Sequence, residues 1–175
     1  MKIRYLVPAF ALALTSMHAS AAGSVKVEWQ DPDSYTDIRP VNQTRSSYKR
    51  FVFKELEEQL TELADDLPDG HTLAMTVTDL DLAGQVWPGN FVGFGQSAAS
   101  DVRLIRSLYI PRMSFSYTLT DAGGNTVQSA EVKLKDMMFM DRAARGFRSD
   151  SLTYEKTMLR DWFNDTMGPL VASTN

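Results

Sequence analysis

Apolar and polar side chains alternate with a period of two at the first patterned stretch, where Val25, Val27 and Trp29 interleave with Lys26, Glu28 and Gln30. That spacing sends successive side chains to opposite faces and predicts a half-buried strand. Asp31, Pro32 and Asp33 stop it, and Ser34 to Asn42 reads as a polar loop carrying Tyr35, Asp37, Arg39 and Pro40. From about Thr44 to Leu67 the period lengthens. Val52, Leu56, Leu60, Leu63 and Leu67 recur at intervals of three and four, with Glu55, Glu57, Glu58 and Glu62 largely on other faces, so the segment predicts an amphipathic helix. Pro68, Asp69 and Gly70 end it.

Alternation returns with Leu73, Met75 and Val77, but Leu80 and Leu82 fall in the opposite phase. A bulge near Thr78 and Asp79 would reconcile the two halves of this second strand. Ala83 to Ser100 reads as a mobile glycine-rich loop, and Val102 to Ile105 is too short for periodicity to decide between strand and helical turn. Met113 to Leu119 and Thr126 to Lys135 alternate on either side of Asp121, Gly123, Gly124 and Asn125, the pattern of a β-hairpin. A linking segment from Asp136 to Asp150 precedes a last helix, which is expected to open at Asp150 or Ser151 and stop at Gly168 and Pro169. The expected class is α+β, one domain over residues 23–170 in the order β-α-β-β-β-α. An antiparallel or mixed sheet with both helices on one face is the simplest way to bury two helical stripes and one sheet face. Residues 171–175 are expected to be a loose tail.

The amino terminus changes the picture of compartment and charge. Lys2 and Arg4 precede an apolar run from Tyr5 to Met17, followed by the small residues Ala19, Ser20, Ala21 and Ala22. This is the layout of a secretory signal peptide, expected over residues 1–22, and the run is shorter than the roughly 20 apolar residues that span a bilayer. Without Lys2 and Arg4, 16 basic side chains face 22 acidic ones, a net charge of −6, which disfavours nucleic acid as a partner. His71 becomes the single histidine and there is no cysteine. Disulfides, thiolate metal sites, multi-histidine metal sites within one chain and cysteine nucleophiles are thereby excluded.

Four stretches, Tyr35 to Pro40 (YTDIRP), Val77 to Gly84 (VTDLDLAG), Pro111 to Phe115 (PRMSF) and Asp150 to Phe163 (DSLTYEKTMLRDWF), run in order across most of the chain. In these the sequence resembles secreted Gram-negative bacterial proteins known only as a domain of unknown function. The resemblance implies a single periplasmic domain and brings no catalytic residues with it.

Candidate chemistry is sparse. Asp79 and Asp81 lie one residue apart, so on a strand their carboxylates leave the same face within about 7 Å of each other. Such a pair suits a cation or acid–base hydrolysis, but two aspartates at a strand end more often bond backbone amides or an arginine. Asp37, Arg39, Arg112 and Asp150 sit near the ends of elements. If those ends meet, they form a polar cluster suited to a carboxylate or phosphate, or an ion-pair network that sets the loops. Trp87, Phe91 and Phe94 in the glycine-rich loop are candidates for contact with a partner, or for a cap folded back on the sheet. The run Met137, Met138, Phe139, Met140 is expected to fill core gaps rather than hold a soft metal. No glycine-rich phosphate loop opens a helix, so no cofactor or metal is expected.

The reading these residues favour is a non-enzymatic periplasmic binding or adaptor domain for an envelope protein or component. A small-ligand or cation binder at Asp37, Arg39, Asp79, Asp81, Arg112 and Asp150 comes second, and a carboxylate hydrolase third.

Overall fold

The computed structural model describes residues 22–89, 101–143 and 152–174. The first strand, β1 (Ser24–Trp29), runs parallel to β2 (Thr72–Asp81), and the helix between them is α1 (Arg45–Ala64). Thr44 caps α1, its hydroxyl accepting from Ser47 N at 3.3 Å. Two antiparallel strands, β5 (Arg112–Thr120) and β6 (Thr126–Lys135), follow in space, giving a mixed sheet in the order β1-β2-β5-β6. The hairpin turn is tied by Asp121, whose Oδ1 accepts from Gly123 N and Asn125 N, each at 2.9 Å.

Register decides which side chains are buried. Leu73, Met75 and Val77 of β2 and Met113, Phe115, Tyr117 and Leu119 of β5 are buried. They join α1 (Val52, Leu56, Leu60, Leu63) and the last helix, α3 (Thr153–Thr174), through Met158, Leu159, Trp162, Phe163 and Met167, in one core cluster. Trp162 stands edge-on to Phe115 and Tyr117 at centroid distances of 4.8 and 5.4 Å. Trp29 stacks on Phe53 at 4.1 Å and donates its indole N–H to Glu57 Oε1 at 2.6 Å. The Lys156–Glu55 pair at 2.6 Å links α3 to α1. In β2 the pairing with β5 shifts between Val77 and Asp79. Thr78 is the extra residue, so the buried positions change parity and continue at Leu80 and Leu82.

Three expectations are corrected. The first is the order β-α-β-β-β-α, because two short strands intervene, β3 (Gln85–Trp87) and β4 (Val102–Leu104), which pair with each other as a separate antiparallel ribbon. The start of the expected glycine-rich loop is thus strand, and a five-residue helix, α2 (Phe139–Ala143), interrupts the linking segment. These pieces are too short to carry a measurable period.

The second concerns the end of α3, which runs through Gly168 and Pro169 to Thr174, so residues 171–174 are helical where a loose tail was expected. A proline inside a helix costs about 3 kcal/mol. Burying Met167 completely and Leu170 partly against the core returns a comparable amount at roughly 1.5–3 kcal/mol per large apolar side chain. Thirdly, Met137, Met138 and Met140 are exposed, and only Phe139 of that run enters the interior.

A helical Gly168 predicts its own mutational signature. A Cβ at this position meets nothing within 4 Å, so Gly168→Ala should stabilise the protein by about 0.5–1 kcal/mol in urea denaturation. A loss of stability would mean that Gly168 ends the helix in a left-handed conformation.

Candidate functional site

β1 covers the edge of β2 only as far as Val77, which accepts from Gln30 N at 2.9 Å. The chain then turns away and returns at Asp37 to the same edge, where Asp37 N donates to Leu80 O and Leu82 N donates to Asp37 O, both at 3.1 Å. The returning loop is fastened from below. Tyr35 is buried and its hydroxyl donates to Val77 O at 2.8 Å. Burial, reinforced by the charges of Asp79 and Asp31, pushes that phenol up to about 12. Asp79 accepts from Thr36 N at 2.7 Å and Thr36 Oγ1 at 2.8 Å.

Arg103 of β4 fastens the loop from the other side. Its Nη1 donates to Asp37 Oδ2 at 3.0 Å and lies 3.3 and 3.4 Å from the carbonyl oxygens of Ala83 and Gly84. Its Nη2 donates to Arg39 O at 2.8 Å. Gly84 makes this approach possible: its φ is +82°, and a Cβ there would lie 2.5 Å from Ile105 Cδ1 and 2.8 Å from Leu104 O. Behind the turn, Glu155 in the first turn of α3 is only 2% exposed and accepts from Ala83 N at 2.7 Å. Burial raises its pKa, opposed by the Ala83 N–H, its own backbone N–H and the charge of Arg103.

These contacts surround a cleft of about 440 Å³, between the returning loop, the first turn of α1, the start of β3, the Leu108–Tyr109 segment and the facing ends of β2 and β5. Asp37, Arg39, Asp81 and Arg112 all line it, as do Asp33, Arg45 and Lys49. Asp81 stands opposite Arg112 in the register and accepts from its Nη1 at 2.8 Å. Burial raises the Asp81 pKa in spite of that arginine. Lys49 pairs with Asp33. Asp37 is held by Arg103, which stands behind the lining. Each carboxylate of the lining therefore has its cation, while the guanidinium groups of Arg39 and Arg45 have no ion-pair partner among the described residues.

Of the residues singled out from the sequence, Asp37, Arg39, Asp81 and Arg112 come together in the cleft. Asp79 lies beside them, tied to Thr36 and outside the lining. The Asp79 and Asp81 carboxylates thus engage a backbone amide and hydroxyl in one case and an arginine in the other. Asp150, Phe91 and Phe94 lie outside the described residues. Trp87 is half-buried in β3, its indole N–H donating to Gln85 Oε1 at 3.1 Å. His71 precedes β2, about 30 Å along the strand from Asp81 at roughly 3.3 Å per residue. Among the described residues, no group of three or more His, Cys, Asp or Glu side chains is arranged to hold a metal ion, and no helix is long and apolar enough to cross a membrane.

Sequence reading missed Arg45, Lys49, Arg103 and Glu155. Glu155 had left a signal, since it falls on the same stripe as Leu152, Leu159 and Trp162, where a charged residue is either buried with partners or out of place. Arg103 left none, because the strand that aims it has three residues.

The family description Protein of unknown function (DUF3016) matches residues 23–165. No curated protein and no solved structure matches the chain.

The buried Glu155 predicts a pH dependence. Its folded-state pKa lies above the ordinary value of 4.5, so between those two values the folded chain holds a proton that the unfolded chain has lost. Its contribution to stability therefore falls as pH rises through that window and stays low above it. Glu155→Gln, which keeps an acceptor for Ala83 N, should be more stable than the native protein near pH 7, with the difference closing as pH falls toward 4.5. Glu155→Ala, which strands that buried amide, should lose about 1–3 kcal/mol. Urea midpoints across pH measure both, and a Gln variant less stable at neutral pH would show that the charge itself is required.

Proposed function

Because the chain belongs to the DUF3016 family, whose description names no activity, we propose its function from the cleft: it is a non-enzymatic domain that binds a small anionic ligand, carboxylate or phosphate, at Arg39 and Arg45. The observation that carries this reading is the surplus of cations. The whole chain has a net charge of −4, yet four basic side chains and three carboxylates line the cleft, and the carboxylates are already paired. Two planar guanidinium groups beside a concave surface match the fork geometry of carboxylate and phosphate. A volume near 440 Å³ falls within the range of small-molecule sites.

The chemistry of the walls supports binding over turnover. Among the described residues the lining contains no histidine or cysteine. The Tyr35 hydroxyl is committed to Val77 O, and Asp37 and Asp81 are held by arginines. Of these carboxylates Asp81 is the one whose pKa burial raises, and Arg112 occupies one of its oxygens. The adaptor reading rests on Trp87, Phe91 and Phe94, and of these only Trp87 is described, half-buried and hydrogen-bonded within its own strand.

The proposal includes the compartment. Residues 1–22, with Lys2 and Arg4 ahead of the apolar run and small residues at its end, act as a signal peptide, and the domain works in the periplasm of a Gram-negative bacterium.

Two measurements test these statements. In a thermal-shift and calorimetric panel of inorganic phosphate, phosphomonoesters and di- and tricarboxylates, at least one anion should raise the melting temperature of the native protein. Arg39→Gln with Arg45→Gln should weaken that anion's binding by about 10- to 100-fold for each charge-assisted hydrogen bond lost. Equal shifts in the native and doubly substituted proteins would overturn the site. A reporter enzyme active only outside the cytoplasm should become active when fused after residue 22 and stay inactive when Lys2 to Met17 are deleted. Equal activity of the two fusions would overturn the leader.

A further inference from the structure

The methionines of the described residues divide sharply. Met75, Met113, Met158 and Met167 are core residues, each 5% exposed or less, whereas Met137, Met138 and Met140 are 69%, 55% and 43% exposed. Three large apolar side chains left in water within four positions forgo the gain of burial and make a small apolar cluster on the surface.

The segment that carries them is anchored. Phe139, placed among the three, is 1% exposed and stands edge-on to Tyr154 at a centroid distance of 4.9 Å. Asp136 N donates to Pro111 O at 3.2 Å, and Asp136 Oδ1 accepts from Met138 N at 2.9 Å, fixing the turn into α2. Asp141 N closes that turn on Met138 O at 3.1 Å. With Phe139 drawn inward, its neighbours on either side are left at the surface on a fixed backbone. Met137 and Met138 lie in the turn that leads into α2, and Met140 is the second residue of that helix, so the three side chains spring from four consecutive positions of an anchored backbone. Methionine's unbranched side chain, with three rotatable bonds, can swing its sulfur toward a common point.

We infer that Met137, Met138 and Met140 form a surface site for a soft monovalent cation, Cu(I) or Ag(I), held by three thioether sulfurs. Thioethers are soft donors that select Cu(I) over the harder divalent ions. The site is independent of the cleft and draws on none of its residues. It also has a distinctive signature. Imidazole and thiolate sites must lose protons to bind metal, whereas a thioether carries none, so affinity here is flat with pH.

The test uses the full domain with Cu(I), kept reduced by ascorbate without oxygen and competed against a chromogenic Cu(I) chelator. The expected result is one Cu(I) per chain, with the same affinity at about pH 5.5 and about pH 7.5. Substituting Met137, Met138 and Met140 together by leucine should weaken binding by more than the roughly tenfold that loss of a supporting contact alone brings. The melting temperature of that variant should stay unchanged, because the substituted side chains are exposed. Met113→Leu, a core change, should keep native affinity. Equal Cu(I) uptake by the native and triply substituted proteins would overturn the site. So would an affinity that falls steeply in acid, which would assign the metal to His71 or to carboxylates.

Discussion

One extra residue in β2 governs the end of the sheet where the cleft lies. Thr78 has no place in the ladder between Val77 and Asp79, and because strand side chains alternate with a period of two, its insertion exchanges the two faces of everything after it. Leu80 and Leu82 thereby enter the core, and Asp79 and Asp81 leave it. Without the bulge, two carboxylates would point into the apolar interior and two leucines into water, a loss of several kcal/mol on each count. The bulge also sets Asp81 opposite Arg112.

The returning loop completes what the bulge begins. β1 leaves the last part of the β2 edge unpaired, and Asp37 takes it with two backbone hydrogen bonds. The Asp37 side chain is then free to hold Arg103, which in turn holds the Arg39 carbonyl and approaches those of Ala83 and Gly84. Asp37 and Arg103 are each less than a fifth exposed, so their stronger attraction is set against the desolvation of both charges, and removing either partner would strand the other without its counter-charge. Arg103 thus has a structural task, and the cations left for a ligand are those at the rim. Glu155 extends the network to α3, so the wall of the cleft is continuous with the core through one buried carboxylate.

The methionines show how far composition falls short of placement. Methionine in a globular chain fills core gaps well, and four of the seven described do so. The other three are outside because Phe139, larger and more strictly apolar, takes the interior position that their stretch of chain offers. A sequence run of four apolar residues does not say which of them turns inward when the element is a five-residue helix. The anchoring contact, Tyr154 from the start of α3, belongs to a different part of the chain.

Long elements were legible because their periods repeat. The stripe from Val52 to Leu63, the alternation in β2 and β5 and the turn chemistry at Asp121 to Asn125 each state a local preference that the core then satisfies, and the phase reversal after Val77 marked the bulge. The pairing of Asp81 with Arg112 and the arrival of Asp37 beside them were not legible, since they depend on which strand lies next to which and on where β1 stops. Nor were β3 and β4, too short for any period, or the passage of α3 through Gly168 and Pro169, where burial of Met167 and Leu170 outweighs the local preference to stop. The amino-acid sequence by itself determined the α+β class, the main helices and strands, and the absence of cysteine chemistry. Tertiary structure alone decided which charges are spent on one another and which remain at the cleft, because an ion pair is set by distance in space, and that distance is unrelated to separation along the chain.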